Sequence, residues 1–572
     1  MCKIVCLLCS LVLMCGITHC QKDSSISIIT FPTQESSSCF LESKTLLGHG
    51  NIFINHLVES QTHGHYPSAP SRVIPTSTGL YVIAMLNARD ITSSEAQGEC
   101  VHIIRLNANQ QYEWHRVIDM QPTDHSRTNT SIDNAIVDEL ENVYFSGVSN
   151  KLHVLDEEST TIDDEKGYVA CLSKQGTLKW IQMLPECTET KLVPSSNTIV
   201  CVSNIHQIRI CVNILDIFTG ETISVAKYTI EPYIGRFWID HEGVYVVTEQ
   251  RDDRSWDLRN YSFTDGFQWK QTIPFPLDSQ HFDGYESVFV KPNDLYCFQS
   301  NNNHLFFGGT LEWRQDNEET KQLFLFCLTR DGIIEWIEQT PLLPTVYLTH
   351  LQCDDDAVYL VGYTDTHFLP NHEHTFQPAI AGETDLFIET FTMDHSYLWG
   401  TYLGGQSAEP AYLGVKPSTF YAPAFVQFQL HQDHLVLTTT TYSEKIDEVN
   451  ACPVLKRTNP NISSEPECSS LLFILSKQGE VKYSTYTATD AQDVDQVAAG
   501  NKTYQEASYP SICIDDWVQN IASYGDTLYM ISMNNDTNTL LTKPMQNKLS
   551  ITKKRLRPWI YYVSEYSIQK KE

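Results

Sequence analysis

Cysteine pairs, long apolar runs and basic residues are all scarce in this 572-residue sequence, and each scarcity excludes a class of protein. No C-x-x-C pair follows residue 20, which excludes zinc ribbons and thioredoxin-like dithiols. No later run approaches the roughly 20 apolar residues that a membrane-spanning helix needs. Only 39 Lys and Arg oppose 70 Asp and Glu, and the resulting net charge of −31 argues against nucleic acid or anionic membranes as partners.

Signatures of catalysis are missing as well. The chain has no G-x-S-x-G nucleophile elbow and none of the sequence patterns that surround a catalytic cysteine. Paired carboxylates of a glycosidase would come from different parts of a repeat fold, so the sequence cannot identify them. We therefore predict no catalytic residue and no cofactor.

Residues 1–20 have one Lys, a short apolar core and a polar exit, which is typical of a secretory signal. Simple cleavage after Cys20 is one route, and lipidation of Cys20 is the alternative. Removing these residues deletes one Lys and no acid, so the net charge becomes −32. The sequence thus predicts a secreted or extracytoplasmic protein, with a lipid-anchored surface protein as the second option.

The remaining cysteines do not form a disulfide framework. Five of the 17 lie in the signal, and many others occupy apolar strand patterns, where they serve as small buried hydrophobes. The pair we expect to bridge is Cys452 with Cys468, which would close one insertion.

What the chain does contain is one phrase repeated along most of its length. Its clearest copies are GYVACLSKQGTLKWIQML (Gly167 to Leu184), LFLFCLTRDGIIEWIEQT (Leu323 to Thr340), DLFIETFTMDHSYLWGTYLGG (Asp385 to Gly405) and LLFILSKQGEVKYSTYT (Leu471 to Thr487). Upstream of each copy stands a second apolar strand, of which eight examples run from GLYVIAML at Gly79 to TLYMISM at Thr527.

One unit therefore reads strand, acidic turn, strand, variable loop, strand, glycine turn, strand. Short Val-, Ile- and aromatic-rich segments between Asp, Asn and Gly turns indicate an all-β protein. Eight such units predict a single eight-bladed β-propeller of four-stranded antiparallel blades over 71–564, with seven blades plus closure strands as the alternative. Closure would come from the C-terminal strand PWIYYV or from an N-terminal strand such as SISIITF or NIFINHL. Residues 21–70 would then be an N-terminal tether and possible closure strand, and 565–572 a tail.

Aromatic residues recur at the centre of the last strand of each unit. We predict that they are wedged between neighbouring blades, and a ligand platform is the alternative. These residues are Trp114, Trp180, Trp269, Trp336, Trp399 and Tyr483. Unit 3 lacks a Trp, and its equivalent position is assigned to Ala226 or Lys227.

The repeat resembles two known propeller families. Ala357 to Thr364 with Asp385 to Gly405 is similar to SBBP repeats, and LDIFTGE (Leu215 to Glu221) is similar to the D-x-x-T-G turn of PQQ-like quinoprotein propellers. The first resemblance implies an extracytoplasmic binding propeller without catalysis. The second implies a redox enzyme, but it also requires a tryptophan-docking motif in nearly every blade, and the D-x-x-T-G spelling occurs only once here.

Few residues have the spacing of metal ligands. His372 and His374 could share an ion, and Asp490, Asp493 and Asp495 offer oxygen ligands suited to calcium. Asp354 to Asp356 has the same chemistry, but Asp in propeller turns commonly caps backbone amides. We therefore predict no metal ion, with calcium as the alternative.

Together these patterns predict an exported propeller that binds a protein or glycan through loops on one face. The longest loops are Asp365 to Glu383, Glu444 to Glu467 and Ala488 to Pro510. An enzyme that uses the central channel and a lipid-anchored assembly factor are the alternatives.

Overall fold

A computed structural model describes the strands of the chain and most of their short turns. The described residues are 40–46, 72–87, 99–108, 112–119, 131–149, 153–154, 166–184, 189–195, 197–205, 208–230, 234–250, 255–274, 287–288, 295–315, 318–370, 375–410, 426–441, 443, 446, 469–487, 517–524, 527–534 and 560–569. Within these ranges no helix is long and apolar enough to cross a membrane.

The described part of the chain contains 34 β-strands, which form eight antiparallel sheets. Blade 1 contains β2 (Arg72–Thr76), β3 (Gly79–Asn87), β4 (Glu99–Asn107) and β5 (Tyr112–Asp119). Blade 2 contains β6 (Ser131–Val137), β7 (Val143–Ser149), β9 (Lys166–Leu172) and β10 (Leu178–Met183), and its β8 (His153–Val154) pairs with β5 of blade 1. Blade 3 contains β11 (Glu189–Pro194), β12 (Thr198–Ile205), β13 (Arg209–Asp216) and β14 (Thr222–Thr229). Blade 4 contains β15 (Ile234–Ile239), β16 (Gly243–Gln250), β17 (Ser255–Ser262) and β18 (Gly266–Pro274).

The second half of the chain repeats this plan. Blade 5 contains β20 (Leu295–Ser300), β21 (His304–Gln315), β22 (Glu318–Thr329) and β23 (Ile334–Gln339), with the short β19 (Ser287–Val288) paired to β21. Blade 6 contains β24 (Val346–Cys353), β25 (Ala357–Thr364), β26 (Asp385–Thr392) and β27 (Tyr397–Leu403). Blade 7 contains β28 (Val426–His431), β29 (His434–Thr441), β30 (Ser469–Ser476) and β31 (Val481–Thr487). The closing sheet contains β32 (Trp517–Tyr524), β33 (Thr527–Asn534), β34 (Ile560–Gln569) and, from the N-terminal side, β1 (Phe40–Leu46).

The sheets form a closed ring. The first strand of the closing sheet, β32, contacts β28 of blade 7 on one side and β2 of blade 1 on the other. Seven sheets take their four main strands from one stretch of chain, and the eighth joins both ends. The ring thus has seven continuous blades plus the closing sheet, which matches the seven-blade alternative. The prediction of an all-β propeller of four-stranded antiparallel blades is confirmed.

The core lies between the blades and not within them. Each sequential pair from blades 1–2 to blades 6–7 shares a hydrophobic cluster. The second strands β12, β25 and β29 are buried on both faces, β25 and β29 at every position. Val, Ile, Leu and Tyr on such a strand fill the spaces toward both neighbouring blades, which explains why these segments read as continuous apolar runs.

The two faces of the ring differ in the length of their connections. The turns from first to second and from third to fourth strands are two to five residues long and lie on one face, here called the turn face. The long connections leave and re-enter the ring at the opposite face, here called the loop face. They include residues 365–384, 404–425, 442–468 and 488–516.

The ends of the chain depart from the sequence-based boundaries. The N-terminal strand in the closing sheet is Phe40–Leu46, whereas SISIITF and NIFINHL lie outside the described residues. β34 ends at Gln569, beyond the predicted limit of the propeller at residue 564. Both differences arise because the last sheet needs a fourth strand, and the N-terminal segment provides it by pairing with β34.

Candidate functional site

The indoles of the fourth strands dock onto the next blade along the chain. Each Nε1 donates a hydrogen bond to a backbone carbonyl in the next blade's turn between third and fourth strands. The pairs are Trp114 with Lys174, Trp180 with Ile217, Trp269 with Arg330, Trp336 with Met393 and Trp399 with Lys477, at 2.7–3.3 Å. A ring that packs on a turn and also satisfies its own N–H serves as a joint between blades.

Four of these turns place a glycine directly against the indole. Gly176, Gly220, Gly332 and Gly479 have φ between +71° and +86°, and a Cβ at any of them would overlap the facing tryptophan ring. Glycine is therefore required at each position for two reasons: the backbone is left-handed, and the indole ring lies too close for a Cβ. Blade 6 has His395 there instead, with φ of 71°, and its ring stacks on Trp336 at 4.6 Å.

The aromatic of blade 3 is Tyr228, and the assignment of Ala226 or Lys227 from the sequence was wrong. The Tyr228 hydroxyl donates to the carbonyl of Ser262 in blade 4 at 3.3 Å, and the ring lies beside Gly266. Asp216 of the D-x-x-T-G stretch caps its own turn by accepting from the backbone N–H of Phe218 and Thr219. Docking thus occurs in blades whose sequences do not contain that motif.

Charged side chains tie blades together on the turn face. Arg330 of blade 5 pairs with Asp240 and donates to the Tyr245 hydroxyl in blade 4, and it also donates to the Asn301 carbonyl of its own blade. Lys477 of blade 7 pairs in the same way with Asp354 of blade 6 at 2.7 Å.

Blades 1 and 2 are joined by a buried version of this tie. Arg105 of blade 1 is fully buried and pairs with Glu141 of blade 2. Burial alone would raise the pKa of Glu141, but hydrogen bonds from Ser77 and Thr78 and the Arg105 charge hold it at about 2. Glu141 is therefore ionised at neutral pH, and its two oxygens are committed to the blade 1–2 interface.

Asp354 caps the acidic turn that precedes β25. Its Oδ1 accepts from the backbone N–H groups of Asp356 and Ala357, both at 2.8 Å, and its Oδ2 accepts from the Tyr359 hydroxyl. This is the amide capping that the sequence favoured over calcium binding at this turn. On the turn face, Arg330, Lys477 and Glu141 thus join neighbouring blades, while Asp354 also caps its own turn.

The loop face of blades 6 and 7 contains a buried polar cluster centred on two acids. Asp385 begins β26, and its Oδ2 accepts from the Gln377 side chain and from the backbone N–H of Ala381, both in the 365–384 connection. The carboxylate therefore fixes the end of that connection where it re-enters the blade. Among the described residues, Oδ1 of Asp385 has no hydrogen-bond partner.

Glu409 is the second acid, and it lies in the connection between blades 6 and 7. Its Oε1 accepts from the hydroxyls of Thr441 and Ser443, where the 442–468 connection leaves β29, and its Oε2 accepts from the Gly405 N–H at 3.0 Å. A Cβ at Gly404 would collide with both acids, so the two carboxyl groups flank this glycine. We call Gln377, Asp385, Gly404, Glu409 and Ser443 the loop anchor.

In the loop anchor, both acids bind a proton more tightly than the same groups do in water. Burial raises the pKa of Asp385 to about 6 against the hydrogen bonds it accepts, and burial also raises the pKa of Glu409. Both acids are fully buried. Because both carboxylates accept hydrogen bonds from the connections around them, the cluster is suited to holding loops.

The sequence analysis did not identify the residues of the loop anchor. Tyr483 lies in β31 and is partly buried. The other predicted site residues lie outside the described residues: His372, His374, Asp490, Asp493, Asp495, Cys452, Cys468 and Cys20. The anchor residues were missed because Gln377 and Glu409 stand in irregular segments without a repeat pattern. The signal that could have found them is the pair of glycines in TYLGG, since adjacent glycines mark a close approach.

Comparison with known proteins adds no family. No protein-family model matches the chain, and no curated protein matches it. Among solved structures, it is similar to BamB from Moraxella catarrhalis, at 10% identity over 87% of this chain and 96% of that one, with a TM-score of 0.35. It is also similar to the WD40 domain of SCAP from fission yeast, at 8% identity over 87% and 98%, with a TM-score of 0.36. A third similar structure is the β-propeller domain of the Trilobed protease from Pyrococcus furiosus, at 10% identity over 72% and 98%, with a TM-score of 0.31. At this level of similarity, the propeller assignment depends on the order of the sheets.

Proposed function

We propose that this chain is a non-catalytic propeller that binds a protein partner through the loop face of blades 6 and 7. The observation that carries the proposal is the unequal distribution of connections between the two faces. The turn face has only short turns, and Arg330 and Lys477 there join neighbouring blades. A partner that recognises features specific to this chain would therefore contact the loop face, where the variable loops lie.

The four connections 365–384, 404–425, 442–468 and 488–516 arise from adjacent positions on the ring. The first three are linked at their bases by the loop anchor, because Asp385 bonds to one of them and Glu409 to the other two. Loops that share a fixed base lose less conformational entropy when they bind a partner. A rigid base under variable loops is a common arrangement for protein recognition.

Export is part of the same proposal. A signal at residues 1–20 and a strongly acidic composition fit a protein that acts outside the cytoplasm, with Cys20 lipidation as the route to a surface anchor. The proposal also includes a relationship to SBBP-repeat propellers, because that resemblance implies binding without catalysis.

The proposal is tested by crosslinking and loop replacement. Residues 444–467 would be replaced by a short Gly-Ser linker, and a matched control would replace residues 88–98 on the loop face of blade 1. The partner that the intact protein captures from its native source should crosslink to Lys445, Lys456 or Lys502. Capture of that partner should be lost when residues 444–467 are replaced and kept when residues 88–98 are replaced. Capture that survives the first replacement, or that fails equally in the control, would refute this surface. A glycan as the only captured species would refute a protein partner.

A further inference from the structure

Three potential metal ligands of different chemistry meet at one end of blade 5. His304 begins β21, Cys327 lies near the end of β22, and Glu335 lies in β23. The strands are adjacent in the sheet, and Glu335 sits at a register irregularity beside Cys327. Their ligand atoms all lie within 4.8 Å of one another.

Two of the three distances between ligand atoms are close to those found around one small ion. His304 Nε2 lies 3.2 Å from Glu335 Oε2, and Cys327 Sγ lies 3.7 Å from the same oxygen. In tetrahedral zinc sites, a nitrogen and an oxygen ligand are about 3.3 Å apart, and a sulfur and an oxygen ligand about 3.5 Å apart. An imidazole, a thiolate and a carboxylate form a donor set that zinc accepts.

The surroundings leave these groups available. His304 Nε2 and Cys327 Sγ both lie against the Glu335 carboxylate, so the potential ligand atoms face one another. Cys327 is fully buried and forms no disulfide, while the Glu335 side chain is 37% exposed. Solvent can therefore reach the triad from the carboxylate side.

We propose that His304, Cys327 and Glu335 bind one Zn²⁺ ion, with a water molecule completing the tetrahedron on the exposed side. Binding replaces the thiol proton of Cys327 by a sulfur–metal bond and releases that proton to solvent. The ion would join three strands of blade 5 next to Trp336, which docks onto blade 6. Its effect would be to stabilise the ring, whether or not the loop face binds a protein.

The test uses the full-length protein and Co²⁺ as a spectroscopic substitute for zinc. The wild type should bind one Co²⁺ per chain with a thiolate-to-cobalt charge-transfer band in the near ultraviolet, and Zn²⁺ should displace it. Cys327→Ser should abolish the band. Cys297→Ser is the matched control, because Cys297 is another buried thiol of blade 5 in the same hydrophobic cluster but outside the triad.

Glu335→Gln keeps the size of the partly exposed side chain and guards against loss of folding as the explanation. It should weaken zinc binding at least about tenfold and reduce the zinc-induced rise in melting temperature. Absence of the band in the wild type would overturn the proposal and leave the triad as a hydrogen-bonded ion pair. Equal binding by the wild type and Cys327→Ser would overturn it too, because the ion would then lie elsewhere.

Discussion

Gly332 and Gly266 occupy equivalent turns of neighbouring blades, but they face aromatic rings at different distances. Both have left-handed φ, +83° and +81°. A Cβ at Gly332 would lie 2.5 Å from Cδ2 of Trp269, whereas one at Gly266 would lie 3.5 Å from Tyr228, an ordinary contact. The pair therefore separates the cost of the backbone conformation from the cost of contact with the indole.

We expect Gly266→Ala to destabilise the protein by about 1–2 kcal/mol, the cost of left-handed φ for a residue with a Cβ. Gly332→Ala should cost a further 1–3 kcal/mol, approximately, because the methyl group displaces the docked ring. Chemical denaturation followed by tryptophan fluorescence measures both. Equal losses in the two variants would mean that the indole moves aside freely.

Two buried acids on β26 predict a pH dependence of stability. Burial raises the pKa of Asp385 to about 6, and burial followed by the Glu338 charge raises the pKa of Glu389 to about 8. Each acid binds its proton at higher pH in the folded state than in the unfolded chain. Their contribution is therefore complete below the ordinary values of 3.8 and 4.5 and is lost as pH rises through about 6 and about 8.

Neutral isosteres should remove these losses separately. Between pH 4 and 6, the melting temperature of Asp385→Asn should fall less than that of the wild type. The melting temperature of Glu389→Gln should fall less than that of the wild type over the same range and also between pH 6 and 8. Differential scanning calorimetry across this range measures both. A wild-type melting temperature that rises from pH 5 to 8 in parallel with both variants would contradict the assignment.

At the scale of strands and turns, a cation from one blade often holds an acid of its neighbour. Arg330 is 13% exposed and its partner Asp240 only 7%. Removing the guanidinium leaves a buried carboxylate, a hydroxyl and a carbonyl without their donor. Arg330→Ala should therefore destabilise by about 3–5 kcal/mol.

Arg330→Lys keeps the charge but cannot reach all three acceptors, so its loss should be intermediate. Lys482→Ala serves as the surface control, since Lys482 pairs with Glu480, which is 69% exposed, and its loss should be at most about 1 kcal/mol. Denaturation midpoints should rank the variants in this order. If Arg330→Ala loses no more stability than Lys482→Ala, the Arg330–Asp240 pair does not stabilise the contact between blades 4 and 5.

Strands could be predicted from the sequence where a continuous apolar run marks them. All eight second strands were identified from their apolar runs, because a strand buried on both faces carries no alternation that could confuse it with a surface segment. Cross-blade contacts could not be predicted. Tyr228, His395 and the Arg330–Asp240 pair depend on which turn a ring or charge meets in the next blade, and that is set by three-dimensional register.

At the scale of the whole molecule, the strand hardest to predict is β1, which completes the closing sheet. β1 (FLESKTL) mixes polar and apolar residues without strict alternation, so its pattern did not mark it as a strand. It is an outermost strand and pairs with β34 from Phe40 opposite Gln569 to Leu46 opposite Val563. An outer strand needs less apolar surface than an inner one, and its partner was more than 500 residues away in sequence.

Closure by the two ends predicts that β1 can be supplied from outside. A chain that starts after residue 46 should melt several degrees lower than one that starts at residue 21 and should self-associate, because β34 becomes an exposed edge. A synthetic peptide FLESKTL added in excess should restore the melting temperature and the monomer, because a ligand that binds only the folded state stabilises it. A peptide of the same composition in shuffled order is the control. If truncation changes neither property, then β32 to β34 close the ring without β1, and the N-terminal segment is a tether alone.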